Sequence, residues 1–405
     1  MVLLFSNERV VKDCSNYFAR IINFTDFLVL LSAKSSDYRM ALLCDSSNRT
    51  GVEASRLTPV EGLTGAVLEL PYLENRYQSF LHAFAIARKM RAYLLEAARQ
   101  GEPMAVAAPG LNSITFVLSF LLPRKTRWYL FIRGDTRKTV DEIYRRSPLR
   151  RAMTAVIDLF QWRVNYLLSR ERGHCFVFGE ALKHKFYAAH AARTHVVSPL
   201  LSSDWLGTPR PGEESTTLGE RTPRVLFVGR LSAEKNIAAL LEACAGAKST
   251  RHRFRLTIVG DGPLETSLRQ QMDALKLSDD IEFTGRVSNG PDLVRIYDAH
   301  DIFCLPSATE GTPRAIAESV ARGLPVVASD VGSIRHMFDD GIVRLLDGFD
   351  ADAILEALVE VMDQYPQRLQ RARSARGDAA IHGLDFNVDK VHQIVQQDLA
   401  GSRDD

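Results

Sequence analysis

Two pairs of charged residues have the types and spacing for anion chemistry. Arg230 and Lys235 sit five apart in Val228-Gly229-Arg230-Leu231-Ser232-Ala233-Glu234-Lys235-Asn236, after an apolar run and before a helical pattern. In a strand-to-helix turn both cations can aim at one point above the sheet edge. Two cations converging there can hold a diphosphate and offset its charge as it departs. Glu310 and Glu318 are eight apart, on either side of Gly311-Thr312-Pro313-Arg314. On one continuous helix that spacing is about 80° off-face with a rise of roughly 12 Å, which does not make an adjacent acid–base dyad. It suits two clamps on a long ligand across a helix N-terminus, where free N–H groups and the macrodipole favour phosphate. The structural alternative is plain for both pairs: solvated charges in a loop, and two surface glutamates.

The elements that would position these residues can be read around them. Ile302–Leu305 reads as a buried strand, and a polar turn follows it. Thr312 can cap the next helix and Pro313 can start it, because proline at the first helical position loses no needed N–H. Gly323 and Pro325 stop that helix, and Pro325–Ala328 reads as the next strand. Upstream, Val225–Val228, Leu256–Val259 and Ile281–Phe283 read as strands; Ile237–Ala247, Leu264–Leu275 and Asp292–Ala299 read as helices. Val259-Gly260-Asp261-Gly262-Pro263-Leu264 is a tight turn into a helix and no dinucleotide fingerprint, since the third glycine is missing.

The first half alternates in the same way. Strands are predicted at Val2–Phe5, Phe27–Leu31, Ala105–Ala108, Trp128–Ile132, Cys175–Phe178 and His195–Val197. Helices are predicted over Gln78–Ala98, Ser113–Leu122 and about Leu149–Ser169. Residues 36–66 give no clear pattern. Residues 202–222 are polar and rich in Ser, Gly and Pro, and read as a linker. A helix runs from Asp350 to Met362, a Gln- and Arg-rich segment follows, and a last helix lies near Asp385–Leu399. The expected fold is α/β: two doubly wound, mainly parallel domains with a ligand crevice between them, ligands binding beyond the carboxyl ends of strands.

Composition sets the bounds. At 405 residues the chain has length for two cores, and 46% hydrophobic with 25% charged residues is ordinary for a soluble globular protein. A net charge of +2 argues neither for nor against nucleic acid. The five cysteines (Cys14, Cys44, Cys175, Cys244, Cys304) are scattered and fit a reducing cytosol without disulfides or a zinc site. No His/Asp/Glu cluster has metal-ligand spacing. The start is too soon polar for a signal peptide. Met104–Leu122 is uncharged but broken by Pro109-Gly110, so it divides into strand, turn and helix instead of spanning a membrane.

The order Ser307-x-x-Glu310-Gly311-Thr312-Pro313, then Glu318, then Gly323-Leu324-Pro325-Val326-Val327-Ala328-Ser329 resembles the Glu-x7-Glu signature of the family 4 retaining glycosyltransferases. These are GT-B enzymes, built from two Rossmann-like domains, that use nucleotide sugars. Gly229-Arg230 with Lys235 is similar to the family's Gly-Arg-x4-Lys element, and Val259–Leu264 to its third element. The likeness is good over residues 223–345 and holds for the first domain only in outline. Its form is most similar to transferases of bacterial exopolysaccharide and capsule assembly.

The resemblance implies a set of roles. Gly229, Arg230 and Lys235 would hold the diphosphate, with Gly311, Thr312 and Pro313 beside it and Arg314 adding positive charge. Glu318 would meet the ribose hydroxyls and Glu310 the donor sugar, while Gly285, Arg286 and Val287 would meet the nucleobase. The implied domains are 1–201 on the acceptor side, the linker 202–222, the nucleotide-sugar domain 223–383, and a final helix in 384–405 that crosses back onto the first domain. The implied partners are a nucleoside diphosphate sugar and a glycan or lipid-linked acceptor, with no metal, no other cofactor and no nucleic acid. Cytoplasmic placement goes with this. The basic run Lys125, Arg127, Arg137, Lys138, Arg145, Arg146, Arg150 and Arg151 is either a solvated face or a contact with anionic lipid at the inner face of the membrane.

There are departures. Ser333 stands where the family often has a second glycine, and Arg335-His336 where it has Pro-Glu. The glycine-rich loop after the first strand is absent. Where a first-domain histidine is common, the chain reads Arg133-Gly134-Asp135, which makes Arg133 and Asp135 the first-domain candidates for catalysis. Two other readings stay open: a nucleotide-sugar epimerase or related enzyme on the same scaffold, and a non-catalytic nucleotide-sugar-binding subunit.

Overall fold

The computed structural model describes residues 2–13, 16–19, 22–45, 58–59, 95–96, 99–100, 102–108, 126–132, 150–170, 173–206, 217–219, 221–248, 250–338 and 341–401. Two compact units result: Met1–Pro199 with Asp385–Asp405, and Leu200–Leu384. Arg133, Asp135, the expected helix Ser113–Leu122, most of Gln78–Ala98 and most of the basic run lie outside the described residues.

The first unit is one sheet with helices. In chain order its elements are β1 (Val2–Asp13), β2 (Asn16–Ala19), α1 (Ile22–Ala33), β3 (Tyr38–Asp45), β4 (Thr58–Pro59), β5 (Met104–Ala108), β6 (Trp128–Ile132), α2 (Arg150–Ser169), β7 (Gly173–Phe178), α3 (Glu180–Tyr187) and β8 (Thr194–Val197). The strand order is β4-β2-β1-β5-β6-β7-β8, with β3 also paired to β1. Only the β1–β2 and β2–β4 pairings are antiparallel among these strands.

Two sequence expectations are corrected here. Phe27–Leu31 is the middle of helix α1 and not a strand. Phe27, Leu28, Val29 and Leu31 are all buried, so the run is apolar nearly all round and carries no readable period, and length alone favours a helix. The first strand runs well past Phe5, to Asp13, because its second half pairs with β2 on one side and β3 on the other.

The second unit is built on β9 (Arg224–Val228), α4 (Ile237–Ala247), β10 (Arg255–Val259), α5 (Glu265–Ala274), β11 (Ile281–Gly285), α6 (Pro291–Asp298), β12 (Ile302–Leu305), α7 (Arg314–Ala321), β13 (Val326–Ser329), β14 (Val343–Leu346), α8 (Ala351–Asp363) and α9 (Tyr365–Ser374). Its sheet has the order β11-β10-β9-β12-β13-β14 and every pairing is parallel. Strands covered on both faces must be apolar on both faces, and Val225-Leu226-Phe227 and Ile302-Phe303-Cys304 are fully buried. Asp350 caps α8 by accepting from the Ala353 N–H at 2.9 Å.

The chain passes between the units twice, at Pro199/Leu200 and at Leu384/Asp385. Both passages are tied together. The N–H groups of Leu200 and Leu201 donate to the His382 carbonyl at 2.9 Å each, and the Leu384 N–H donates to the Leu201 carbonyl at 2.7 Å. Directly after the first passage, Trp205 is buried in the second unit's core and its Nε1 donates to Asn289 Oδ1 at 3.1 Å. The last helix, α10 (Leu384–Gly401), packs on the first unit. There Tyr129 donates to Asp398 Oδ2 at 2.8 Å, and Arg127 Nη1 reaches Asp398 Oδ1 at 2.9 Å. The Ser198 N–H donates to the buried Asn387 side chain at 2.8 Å.

Candidate active site

Among the described residues, the candidates lie at or beyond the carboxyl ends of strands in the second unit. After β9, Gly229 and Arg230 lead into a 3-10 turn, Ala233–Lys235, that Asn236 ends in the left-handed region with φ 55°. After β12, residues 306–313 lead into α7. The two strands are parallel neighbours, so their following loops meet. The Ala308 N–H donates to the Glu234 carbonyl at 2.8 Å, and Lys235 Nζ lies 2.6 Å from Glu310 Oε1. Two candidates 75 residues apart are therefore in direct contact. Both side chains are mostly covered, at 18% and 9% exposure. Ser232 Oγ donates to Glu234 Oε1 at 2.6 Å, which holds that carboxyl below the usual range, with help from the charges of Lys235 and Arg230. Arg230 is exposed, and its side chain makes no hydrogen bond or salt bridge among the described residues.

The turn after β10 supports this loop from the side. The Leu231 N–H donates to the Asp261 carbonyl at 2.9 Å, and the Leu264 N–H to the Leu231 carbonyl at 3.0 Å. Gly260 sits at φ 144°, and a Cβ there would lie 1.9 Å from the Gly229 carbonyl oxygen, so no side chain fits. The Gly260 N–H in turn donates to the Gly285 carbonyl at 2.9 Å. Gly285 thus ends β11, two strands from β9, and Arg286 and Val287 follow it; Arg286 is exposed and Val287 packs on the core.

The Glu310–Thr312 segment is braced from the loop after β13. Ser333 Oγ donates to the Gly311 carbonyl at 2.7 Å and lies 3.2 Å from Thr312 Oγ1. The Ser333 N–H also donates to the Gly311 carbonyl, at 3.0 Å. Gly332, at φ 65°, passes so close that a Cβ would be 2.3 Å from the Glu310 carbonyl oxygen. The residue that departs from the family pattern is therefore the one that ties the loop down. A peptide is planar and trans, so fixing the Gly311 carbonyl toward Ser333 turns the Thr312 N–H to the opposite side.

Helix α7 begins at Arg314, one residue later than expected, with Pro313 as an extended N-cap and no side-chain cap bond. Pro313 has ψ 114°, outside the helical range, so it precedes the helix instead of starting it. Glu318, four residues into α7, is 3% exposed. Its Oε1 accepts from Arg314 Nε at 2.6 Å and its Oε2 from the Tyr297 hydroxyl at 2.7 Å. Burial raises its pKa; Arg314 and the Tyr297 bond pull the other way. Tyr297 itself is fully buried, edge-on to Trp205 at 5.1 Å. Sequence reasoning missed Tyr297, because a tyrosine on an amphipathic helix carries no sign of its partner. The two glutamates are held separately, each by its own cation.

Arg335 pairs with Asp330, its Nε at 3.1 Å from both carboxylate oxygens, and His336 is exposed. Among the described residues no group of three or more His, Cys, Asp or Glu side chains could hold a metal ion. Among them, too, no helix is long and apolar enough to cross a membrane.

Residues 213–378 match the family described as glycosyl transferases group 1. The alpha-monoglucosyldiacylglycerol synthase of Streptococcus pneumoniae is 33% identical over 148 residues, 36% of this chain and 33% of that protein. The amylovoran biosynthesis glycosyltransferase of Erwinia amylovora is 34% identical over 146 residues, 34% of this chain and 35% of that protein. The matched stretch thus spans about a third of the length of these relatives. Among solved structures, Anabaena HepE in complex with UDP-glucose superposes with a TM-score of 0.62 at 16% identity, covering 98% of this chain and all of that one (100%). The fold is GT-B, with two parallel-sheet α/β domains.

Proposed function

We propose that this chain is a retaining glycosyltransferase of family 4. It would move a sugar from a UDP- or GDP-sugar to a glycan or lipid-linked acceptor, in polysaccharide or glycoconjugate biosynthesis. The observation that carries this reading is the meeting of Lys235 and Glu310 beside Arg230 and the braced Glu310–Thr312 loop, all at the carboxyl edge of one parallel sheet. Arg230, Lys235 and the N-terminal end of α7 stabilise the departing diphosphate, the part a metal ion takes in other transferases. Gly229, Pro313 and Arg314 line the same anion site. Glu318 accepts from the ribose hydroxyls, and Gly285, Arg286 and Val287 border the base. Glu310 meets the donor sugar. Arg133 and Asp135 serve the acceptor side, where the departing phosphate helps to deprotonate the acceptor on the same face.

The relatives' names support a glycan or lipid acceptor: one is a diacylglycerol glycolipid synthase and one acts in amylovoran biosynthesis. The solved UDP-glucose complex of a protein with the same fold supports a nucleotide-sugar donor. Placement in the cytoplasm, with the basic run of the first domain against anionic lipid, suits such an acceptor. The departures weigh little against activity. Ser333 tightens the loop that a second glycine would have left looser, and Arg335 is taken up by Asp330.

The reading is tested by incubating the protein with UDP- and GDP-sugars in EDTA, with and without membrane lipid extracts. Sugar transfer from one donor, retention of its anomeric configuration by NMR, and loss of transfer in Arg230→Ala and Lys235→Ala are expected. Conversion of the sugar without any acceptor would make the protein an epimerase. Binding of nucleotide without turnover under any condition would make it a binding subunit.

A further inference from the structure

The loop after β9, the loop after β12 and helix α7 that follows it hold three cations, Arg230, Lys235 and Arg314, and three carboxylates, Glu234, Glu310 and Glu318. The loop after β13 adds Asp330 and Arg335, which cancel again. As the side chains stand, a site proposed to hold a diphosphate carries no net positive charge. Glu318 has taken Arg314 at 2.6 Å, and Glu310 has taken Lys235 at 2.6 Å. These two pairs differ in what surrounds them. Glu318 has a second donor in Tyr297 and lies in the core. Among the described residues Glu310 has Lys235 as its one hydrogen-bond or ion-pair partner, and it lies in a loop.

Resting on the nucleotide-sugar reading, we propose that Glu310 is an internal competitor for the phosphate site: its carboxylate occupies Lys235 and must yield it before a diphosphate can bind. Like charges a few ångströms apart in a half-buried setting repel strongly, so a carboxylate and a diphosphate do not readily share this ammonium. The exchange also has a use after transfer. The product diphosphate carries more charge than the sugar-bound form, and a carboxylate returning to Lys235 displaces it. Glu310 then lowers product affinity at the same place where, with the sugar present, it meets the donor.

The test is calorimetric titration of the full chain with UDP and with GDP. For the nucleotide that the unchanged protein binds, Glu310→Gln is expected to bind about ten-fold tighter, since Lys235 is no longer paired with a carboxylate. Lys235→Ala is expected to bind more weakly, and the double variant to match Lys235→Ala, because Glu310 acts through that ammonium. Glu310→Asp, which withdraws the carboxylate by one methylene and keeps the charge, gives an intermediate gain if Glu310→Gln does not fold. Equal or weaker binding in Glu310→Gln and Glu310→Asp would overturn the competition while leaving the nucleotide site in place; an ammonium has three donors, and sharing would produce that result. Tightening of Glu310→Gln that persists in the Lys235→Ala background would replace competition with simple charge repulsion. No binding of either nucleotide by any variant would overturn the donor-site reading itself.

Discussion

Asp398 and Glu310 are both mostly covered carboxylates, at 10% and 9% exposure, in opposite settings. Asp398, on α10, meets the Tyr129 hydroxyl at 2.8 Å, Arg127 at 2.9 Å and His174 at 3.5 Å. Two of those partners stand side by side near the starts of β6 and β7, where Tyr129 and His174 pair in register and their rings stack. Glu310 sits in a loop past the end of β12 and meets Lys235. A carboxylate with three partners, two of them on adjacent strands, cannot leave one without stranding the others. A carboxylate with one partner on a loop can exchange it. The first cluster fastens a helix to a sheet, and the second leaves a cation available for trade.

Breaking the first cluster should produce the largest effect. Asp398→Ala removes the acceptor for three donors, and a stability loss of about 3 kcal/mol is expected. For a unit of this size that lowers the melting temperature by roughly 6–12 °C. Nucleotide binding, measured on the folded protein, should not change. A stable variant would mean that α10 is held by its other contacts, the bond from the Ser198 N–H to Asn387 among them. Ser333→Ala attacks the other region and is the smaller perturbation. It removes the Oγ bond to the Gly311 carbonyl and leaves the Ser333 N–H bond in place. Loss of about 1 kcal/mol, seen as roughly five-fold weaker binding of UDP or GDP, is expected, with Ser333→Thr restoring it. Unchanged affinity in Ser333→Ala would make the brace irrelevant to the anion site.

Acid sharpens the comparison without touching the protein at neutral pH. Burial pushes His195 down to about 4 from 6.5, and the nearby His174, Lys390 and Lys183 add to the effect. Between those two values the unfolded chain takes up a proton that the folded one refuses, so stability falls as pH drops from 6.5 toward 4. Hydrogen bonds from His174 and Tyr129 and the Arg127 charge outweigh burial and hold Asp398 well below its ordinary range, so its contribution is lost at still lower pH. Urea unfolding at pH 7, 5 and 4 reads this slope, and His195→Gln should flatten it above pH 4.

The second unit was far more legible in the sequence than the first. Its strands are short, apolar on both faces and separated by turn residues, so Val225–Val228 and Ile302–Leu305 could be placed almost to the residue. In the first unit, the same apolar density at Phe27–Leu31 belongs to a helix, and the strand Tyr38–Asp45 was not placed because it opens a segment, residues 36–66, that is otherwise polar and Gly- and Ser-containing. At the site, residue types and loop positions were readable from spacing. The pairings were not. Lys235 with Glu310, and Tyr297 with Glu318, depend on which strands are neighbours, and the sheet order is not written in any local pattern.

The two tied passages between the units carry one more consequence. Where the chain enters and leaves the second unit, Leu200 and Leu201 donate to the His382 carbonyl and Leu384 donates to the Leu201 carbonyl, with Leu201 and Gly383 bridged beside them. The whole of Leu200–Leu384 is therefore a closed cassette inserted into the first unit, and residues 213–378 fall entirely inside it. An insert whose ends already meet adds little loop-closure entropy to its host. Such a cassette can be exchanged for another with the same ends without rebuilding the sheet of its host, so the two units are free to vary as separate modules.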